Sequence, residues 1–224
     1  MHVAIKICGL STAEAVTAAL AAGADYLGFI FFPKSPRNVE IQQASELMHL
    51  ANGQAQTVAV TVDAELQFLD RLVEIARPDW LQFHGNESAE YLVGIKQRYG
   101  LPVIKSISVR SAEDLVGIDH YVGIADRLLL DAKAPEGTDL PGGNGIPFDW
   151  RLLETFQAQS PYFLSGGLDS GNVEMALDMT GTSAIDVSSG VESSPGVKDI
   201  AKIAGFIKAV RDYERARSNK DVPA

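Results

Sequence analysis

A single-domain α/β fold closed as a (β/α)8 TIM barrel is what the sequence predicts, on three observations. Eight short apolar β-like runs, at 3–8, 26–32, 57–62, 80–83, 103–108, 127–130, 162–165 and 184–187, alternate with helix-compatible segments. The 224 residues, 46% of them hydrophobic, match a length that α/β barrels occupy as one domain. Reactive candidates end both the first and the sixth run, and barrel sites draw residues from several strand ends. The same alternation permits an open doubly wound sheet; the count of eight and the spread of candidates favour closure.

In the first run, Val3, Ile5 and Ile7 share one face and Ala4, Lys6 and Cys8 the other, so the polar set should point into the barrel. Helices are expected at 11–22, 40–51, 64–76, 87–99, 111–117, 149–158, 171–179 and 198–215. Ser11 and Ser111 read as N-caps with carboxylates three residues on at Glu14 and Asp114, and Gly23, Gly100 and Gly181 read as C-terminal caps. In the sixth run, Leu128 and Leu130 should pack under helices, leaving Arg127, Leu129 and Asp131 inward. That run stops on Asp131 and enters a glycine-rich loop, Pro141-Gly142-Gly143-Asn144-Gly145. The main fold is expected over 1–215, with 216–224 a polar, frayed tail.

Composition excludes several classes. No apolar run approaches the roughly 20 residues that cross a bilayer. A single cysteine gives no intrachain disulfide, and without a leader pattern the reading is a cytoplasmic protein. The net charge of −10 argues against nucleic acid, though a small anion could be held by helix N-termini and placed cations such as Lys6 and Arg37. His2, His49, His84 and His120 stand at no zinc-ligand spacing with Cys8, so no metal is expected.

Leu164-Ser-Gly166-Gly167-Leu follows the seventh run and Asp186-Val-Ser-Ser189-Gly190-Val-Glu192 the eighth. A Gly-Gly pair alone is commonly a tight turn. Two such loops in the last two units instead predict a phosphate site, because glycine lets backbone N–H groups approach an anion. Cys8 and Asp131, a potential base and an acid at the ends of different strands, suggest proton transfer on a small molecule. Each has an ordinary alternative: Cys8 as a small buried hydrophobe, Asp131 as a cap, Arg37 as a solvated loop charge, His84 as a structural hydrogen-bonding residue.

Seven ordered motifs carry a resemblance: Lys6-Ile-Cys-Gly-Leu10, Phe32-Pro-Lys-Ser-Pro-Arg-Asn38, Leu81-Gln-Phe-His-Gly-Asn-Glu87, Leu130-Asp131, Gly142-Gly-Asn-Gly145 with Phe148-Asp-Trp150, Ser165-Gly-Gly-Leu168, and Asp186 to Glu192. In these the chain resembles the phosphoribosylanthranilate isomerases of tryptophan biosynthesis, over nearly its whole length. The resemblance implies a barrel, an Amadori rearrangement of a small phosphorylated substrate, and no cofactor. It implies Cys8 as general base, Asp131 as general acid, Arg37 at the anthranilate carboxylate, and Gly166, Gly167, Ser189 and Gly190 at the phosphate. Lys6, His84, Gly142, Gly143 and Asp186 are further substrate-site candidates, Asp186 mainly in support. The chain departs from the family at Thr61, where an aromatic residue is frequent, and at Ser11, where threonine is commoner.

In that chemistry an acid must protonate the furanose oxygen, so Asp131 is expected to be kept protonated by burial or substrate. A base must collect the C2′ proton, and Lys6 on the same strand face is expected to raise the thiolate fraction of Cys8. Another phosphosugar-binding barrel enzyme would share the phosphate loops without needing the Cys8 and Asp131 pair. A non-catalytic sensor would need only the loops. Oligomeric state is not readable.

Overall fold

The computed structural model describes residues 2–133, 149–153 and 160–220, with Asn219 and Lys220 described by backbone alone. The strands are β1 (Ala4–Cys8), β2 (Tyr26–Phe31), β3 (Gln56–Thr61), β4 (Trp80–Phe83), β5 (Val103–Val109), β6 (Arg127–Ala132), β7 (Tyr162–Leu164) and β8 (Ala184–Val187). They pair in sequence order, all parallel, and β8 returns to β1 to close the barrel. Between and after them lie α1 (Ala13–Ala22), α2 (Ile41–His49), α3 (Leu66–Ala76), α4 (Ala89–Tyr99), α5 (Ala112–Val116), α6 (Val173–Thr180) and α7 (Ile200–Lys220). A short antiparallel hairpin, β9 (Glu192–Ser194) and β10 (Val197–Lys198), follows β8.

The alternation of side chains builds two cores. Val3, Ile5, Ile7, Leu128 and Leu130 face outward into the layer beneath the helices, with Phe206 and Val210 of α7. Cys8, Tyr26, Val58, Val60, Ile104, Leu129, Phe163 and Ala184 fill the barrel itself, and Arg127 stacks its guanidinium 5.4 Å from the Phe163 ring centre. Burying apolar side chains on both strand faces is what a parallel barrel requires.

Helix ends follow local chemistry. Thr12, not Ser11, caps α1, its hydroxyl accepting from Ala15 N–H at 3.2 Å. The Ser11 carbonyl instead takes the Gln43 side chain. Asp114 accepts from the Ser111 N–H at 3.0 Å as expected, and Gly23, Gly100 and Gly181 end their helices in the left-handed region. Only Trp150–Leu153, a 3-10 turn, is described of the helix expected at 149–158. The last helix runs past its expected end at 215, so 216–220 are helical rather than tail. Arg217 on Asp178 at 2.8 Å supports that extension.

At the amino-terminal end, Asp25, Asp79 and Asp126 each directly precede an even-numbered strand and pin the odd-numbered strand before it. Their carboxylates accept from Ile5, Thr57 and Val103 N–H at 2.8, 2.7 and 2.8 Å. β8 is preceded by Ser183, whose carbonyl accepts from Ala4 N–H. There Arg211 of α7 bridges Asp25, Glu214 and the Val3 carbonyl, tying the last helix to the first strand. No helix among the described residues is long and apolar enough to cross a membrane.

Candidate active site

The carboxyl ends of the strands gather the reactive residues. Lys6 is fully buried and donates from Nζ to Asp186 Oδ1 at 2.6 Å, across the register that pairs β1 with β8. Asp186 Oδ2 accepts from Ser165 Oγ at 3.1 Å, so β1, β8 and the end of β7 are tied together. Burial pulls the Lys6 ammonium down, but Asp186 and Cys8 together outweigh it and hold the pKa above the ordinary lysine value.

Cys8 lies opposite Gly28 of β2, where a Cβ would stand 2.9 Å from its sulfur. Burial pushes the Cys8 thiol above its ordinary value; Lys6 opposes this, and the Asp186 carboxylate adds to it. The expected pull of Lys6 toward thiolate is therefore present, yet it is outweighed. Its ammonium is engaged by Asp186 and the thiol is desolvated.

Arg37 is buried rather than solvated. A Cβ on Gly9, the residue after Cys8, would lie 2.7 Å from Arg37 Cδ, so only glycine leaves room for the side chain there. Its Nε and Nη2 donate to Glu192 Oε1 and Oε2 at 2.7 and 2.9 Å, a bidentate pair. Glu192 also accepts from Lys198 Nζ at 2.8 Å and from Gly196 N–H at 3.2 Å. Burial raises the Glu192 carboxyl, and the two cations more than compensate, holding it below its ordinary value.

Asp131, buried at the end of β6, accepts from the Ala132 N–H through Oδ1 at 2.9 Å. Its Oδ2 is 3.3 Å from His84 Nε2. The other face of that imidazole, Nδ1, stands 3.2 Å from Gln82 Nε2, and Nε2 is also 3.2 Å from Ser106 Oγ. The loop carrying His84 is anchored by buried Lys105, which donates to Gly85 O at 2.6 Å and Glu87 Oε2 at 2.9 Å. Glu87 Oε1 in turn accepts from the Asp63 N–H.

The glycine loops after β7 and β8 touch each other. Gly166 and Gly167 have φ of 86° and 66°, and a Cβ on Gly166 would come 2.6 Å from the Ala132 nitrogen. A Cβ on Gly190, within the 3-10 turn Ser189–Val191, would overlap the Leu168 carbonyl oxygen. Backbone therefore lines this corner, as an anion cradle requires. Gly142 and Gly143 lie outside the described residues.

Sequence reading assigned no role to Gln82, Ser106, Ser165, Glu192 or Lys198. Gln82, Ser165 and Glu192 fall within motifs singled out above, and membership of those motifs was the signal available for them. Lys198 sits in a hairpin with no strand-like pattern of its own.

A family model described as N-(5'phosphoribosyl)anthranilate (PRA) isomerase matches residues 5–209. The N-(5'-phosphoribosyl)anthranilate isomerase of Sinorhizobium medicae is 56% identical over 214 residues, 96% of this chain and 100% of that protein. The crystal structure of phosphoribosyl anthranilate isomerase from Thermotoga maritima superposes with a TM-score of 0.85 at 33% identity, covering 94% of this chain and 99% of that one. A phosphoribosyl anthranilate isomerase in complex with reduced 1-(O-carboxyphenylamino)-1-deoxyribulose 5-phosphate superposes at 0.82 with 31% identity, covering 94% and 99%. With a closed barrel, a strand-end acid and thiol, and identity above half over nearly its full length, the chain belongs to the N-(5'-phosphoribosyl)anthranilate isomerase family and is an isomerase.

Proposed function

We infer that the chain converts N-(5′-phosphoribosyl)anthranilate into 1-(2-carboxyphenylamino)-1-deoxyribulose 5-phosphate in tryptophan biosynthesis, with Asp131 as general acid and Cys8 as general base. The observation that carries this reading is that Cys8 and Asp131, the last residue of β1 and the next to last of β6, stand at the carboxyl end of one barrel, both buried. The proton on Asp131 passes to the furanose oxygen as the C1′–O bond breaks, and the nitrogen lone pair forms the iminium. Cys8 thiolate then takes the C2′ proton, the C–H electrons make the C1′–C2′ double bond, and the iminium electrons return to nitrogen. The resulting enolamine tautomerises to the ketone by moving its enol proton to C1′.

Arg37 holds the anthranilate carboxylate, and Gly166, Gly167, Ser189 and Gly190 hold the phosphate. Lys6, His84, Gly142, Gly143 and Asp186 contact or support the sugar. The site lies in the cytoplasm and needs only its small-molecule substrate. The barrel is one domain.

Turnover followed by loss of anthranilate-type fluorescence tests this in wild type, Cys8→Ala and Asp131→Asn, with circular dichroism to verify folding. Each substitution should lower kcat at least about a hundredfold. An active wild type with either folded variant near full rate removes that residue from its role. A wild type that binds phosphorylated ligand without turnover returns the reading to another phosphosugar enzyme or a sensor.

A further inference from the structure

Lys105 takes no part in the chemistry above, and its side chain leaves β5 on the outer face, away from any substrate. Ile104 points into the barrel, whereas Val103 and Val109, on the Lys105 side, pack outward under the helices. An ammonium only 2% exposed in that apolar layer is costly to desolvate unless its donors are matched. Its Nζ donates to the Gly85 carbonyl at 2.6 Å and to Glu87 Oε2 at 2.9 Å, and reaches the Phe83 carbonyl at 3.4 Å. The Tyr121 ring centre lies 5.8 Å from it, a cation–π contact.

Phe83 and Gly85 are the neighbours of His84, so one ammonium holds the chain on both sides of that residue. Glu87 completes the grip. Its Oε1 and Oε2 accept from the Gly85 N–H at 3.2 and 3.0 Å, and Oε1 also accepts from the Asp63 N–H at 2.9 Å. The His84 N–H donates to the Thr61 carbonyl at 2.8 Å. A Cβ on Gly85 would come 2.4 Å from Asp63 Oδ1, so the loop after β3 closes over it. With the peptide groups before and after His84 fixed, rotation of its side chain is the main freedom left to it.

The placement of that backbone governs which partner the ring serves. Nε2 is 3.3 Å from Asp131 Oδ2 and 3.2 Å from Ser106 Oγ, both at the long end of the hydrogen-bonding range. A displacement of a few tenths of an ångström would break the first contact or leave the ring on Ser106 alone. Ser106 follows Lys105 on β5, so one strand fixes the His84 backbone from its outer face and the ring from its inner face.

We propose that Lys105 is a positioning residue for the isomerisation: by clamping the carbonyls on either side of His84 and, through Glu87, the Gly85 N–H, it holds the imidazole against the Asp131 carboxyl. This rests on Asp131 being the general acid and His84 its partner. Lys105 acts through His84 and touches no reacting atom.

The test is a double-mutant cycle in the turnover of N-(5′-phosphoribosyl)anthranilate, with circular dichroism and thermal melts to verify folding. Lys105→Met should lower kcat about tenfold and change KM less than about twofold. In a His84→Leu background the same substitution should change kcat less than about twofold, because no ring remains to be positioned. A lysine that merely supports the loop would cost the same factor in both backgrounds. Should Lys105→Met fail to fold with the Glu87 carboxylate left alone, Glu87→Gln is added; it removes that charge while its amide oxygen still accepts from Gly85, and the cycle is run on the pair. Full kcat in the folded variant, or an equal loss in both backgrounds, would overturn the assignment. His84→Leu or Asp131→Asn at full rate would instead remove the acid or its partner, and the reading beneath the proposal would fall first.

Discussion

His84 Nε2 stands 3.3 Å from Asp131 Oδ2, and the opposite ring nitrogen faces the Gln82 amide nitrogen at 3.2 Å. With the Gln82 amide nitrogen donating, Nδ1 accepts and the ring proton of a neutral His84 sits on Nε2, toward Asp131. If Asp131 is the general acid proposed above, that N–H would orient its carboxyl and stabilise the carboxylate left after proton transfer. His84→Leu should lower kcat about ten- to a hundredfold with a smaller change in KM, and His84→Gln should recover part of the loss. Equal rates in the two variants would show that the donor is not what matters.

The Cys8 thiol is pushed above its ordinary value, chiefly by burial. The thiol therefore prevails at neutral pH, and the thiolate that the proposed base requires grows as pH rises. We expect kcat/KM to climb from about pH 7 to beyond about pH 8.5. Lys6→Met removes the opposing cation and should move that climb further alkaline. A flat profile in wild type across this range would exclude Cys8 as a base working from the free enzyme.

Lys6 and Asp186 form a pair with almost no exposure, bonded at 2.6 Å. Removing one partner leaves the other charge buried and alone, so Asp186→Leu should cost about 3–5 kcal/mol in denaturant unfolding. The double variant Lys6→Met/Asp186→Leu should be more stable than Asp186→Leu, though inactive if Lys6 serves the substrate. A double variant no more stable than the single one contradicts a buried-charge origin.

Gly190→Ala tests the cradle. Its Cβ would overlap the Leu168 carbonyl, so the loops after β7 and β8 must part. KM for a phosphorylated substrate should rise about tenfold or more, with kcat less affected. Steady-state kinetics alongside a thermal melt separate this from unfolding.

Strand positions, and which side chains point inward, could be read from alternation alone. Cys8 and Leu129 lie inside the barrel while Ile5, Ile7, Leu128 and Leu130 lie outside it, because a two-residue period leaves no other arrangement. Charge pairing across the fold could not be read that way. A solvated loop charge stayed open as the ordinary alternative for Arg37 because Glu192 lies 155 residues away and meets it only through barrel closure. Thr12 displaced Ser11 as a cap by a one-residue shift between adjacent hydroxyls, a difference below what local preference resolves. The polar residues after 215 hid a helix that side-chain pairs such as Arg217 with Asp178 support.

The three aspartates at the amino-terminal end divide the barrel into modules. Asp25, Asp79 and Asp126 each join one odd strand to the even strand after it, and among the described residues no such carboxylate bond reaches from β2 to β3 or from β4 to β5. A backbone cut at 50–55, between α2 and β3, or at 100–102, between α4 and β5, leaves each pin within one fragment. Two separately made polypeptides broken there should keep their internal registers and reassociate by remaking the plain β2–β3 or β4–β5 edge together with the β8–β1 seam, which Lys6 with Asp186 and Arg211 with Asp25 tie.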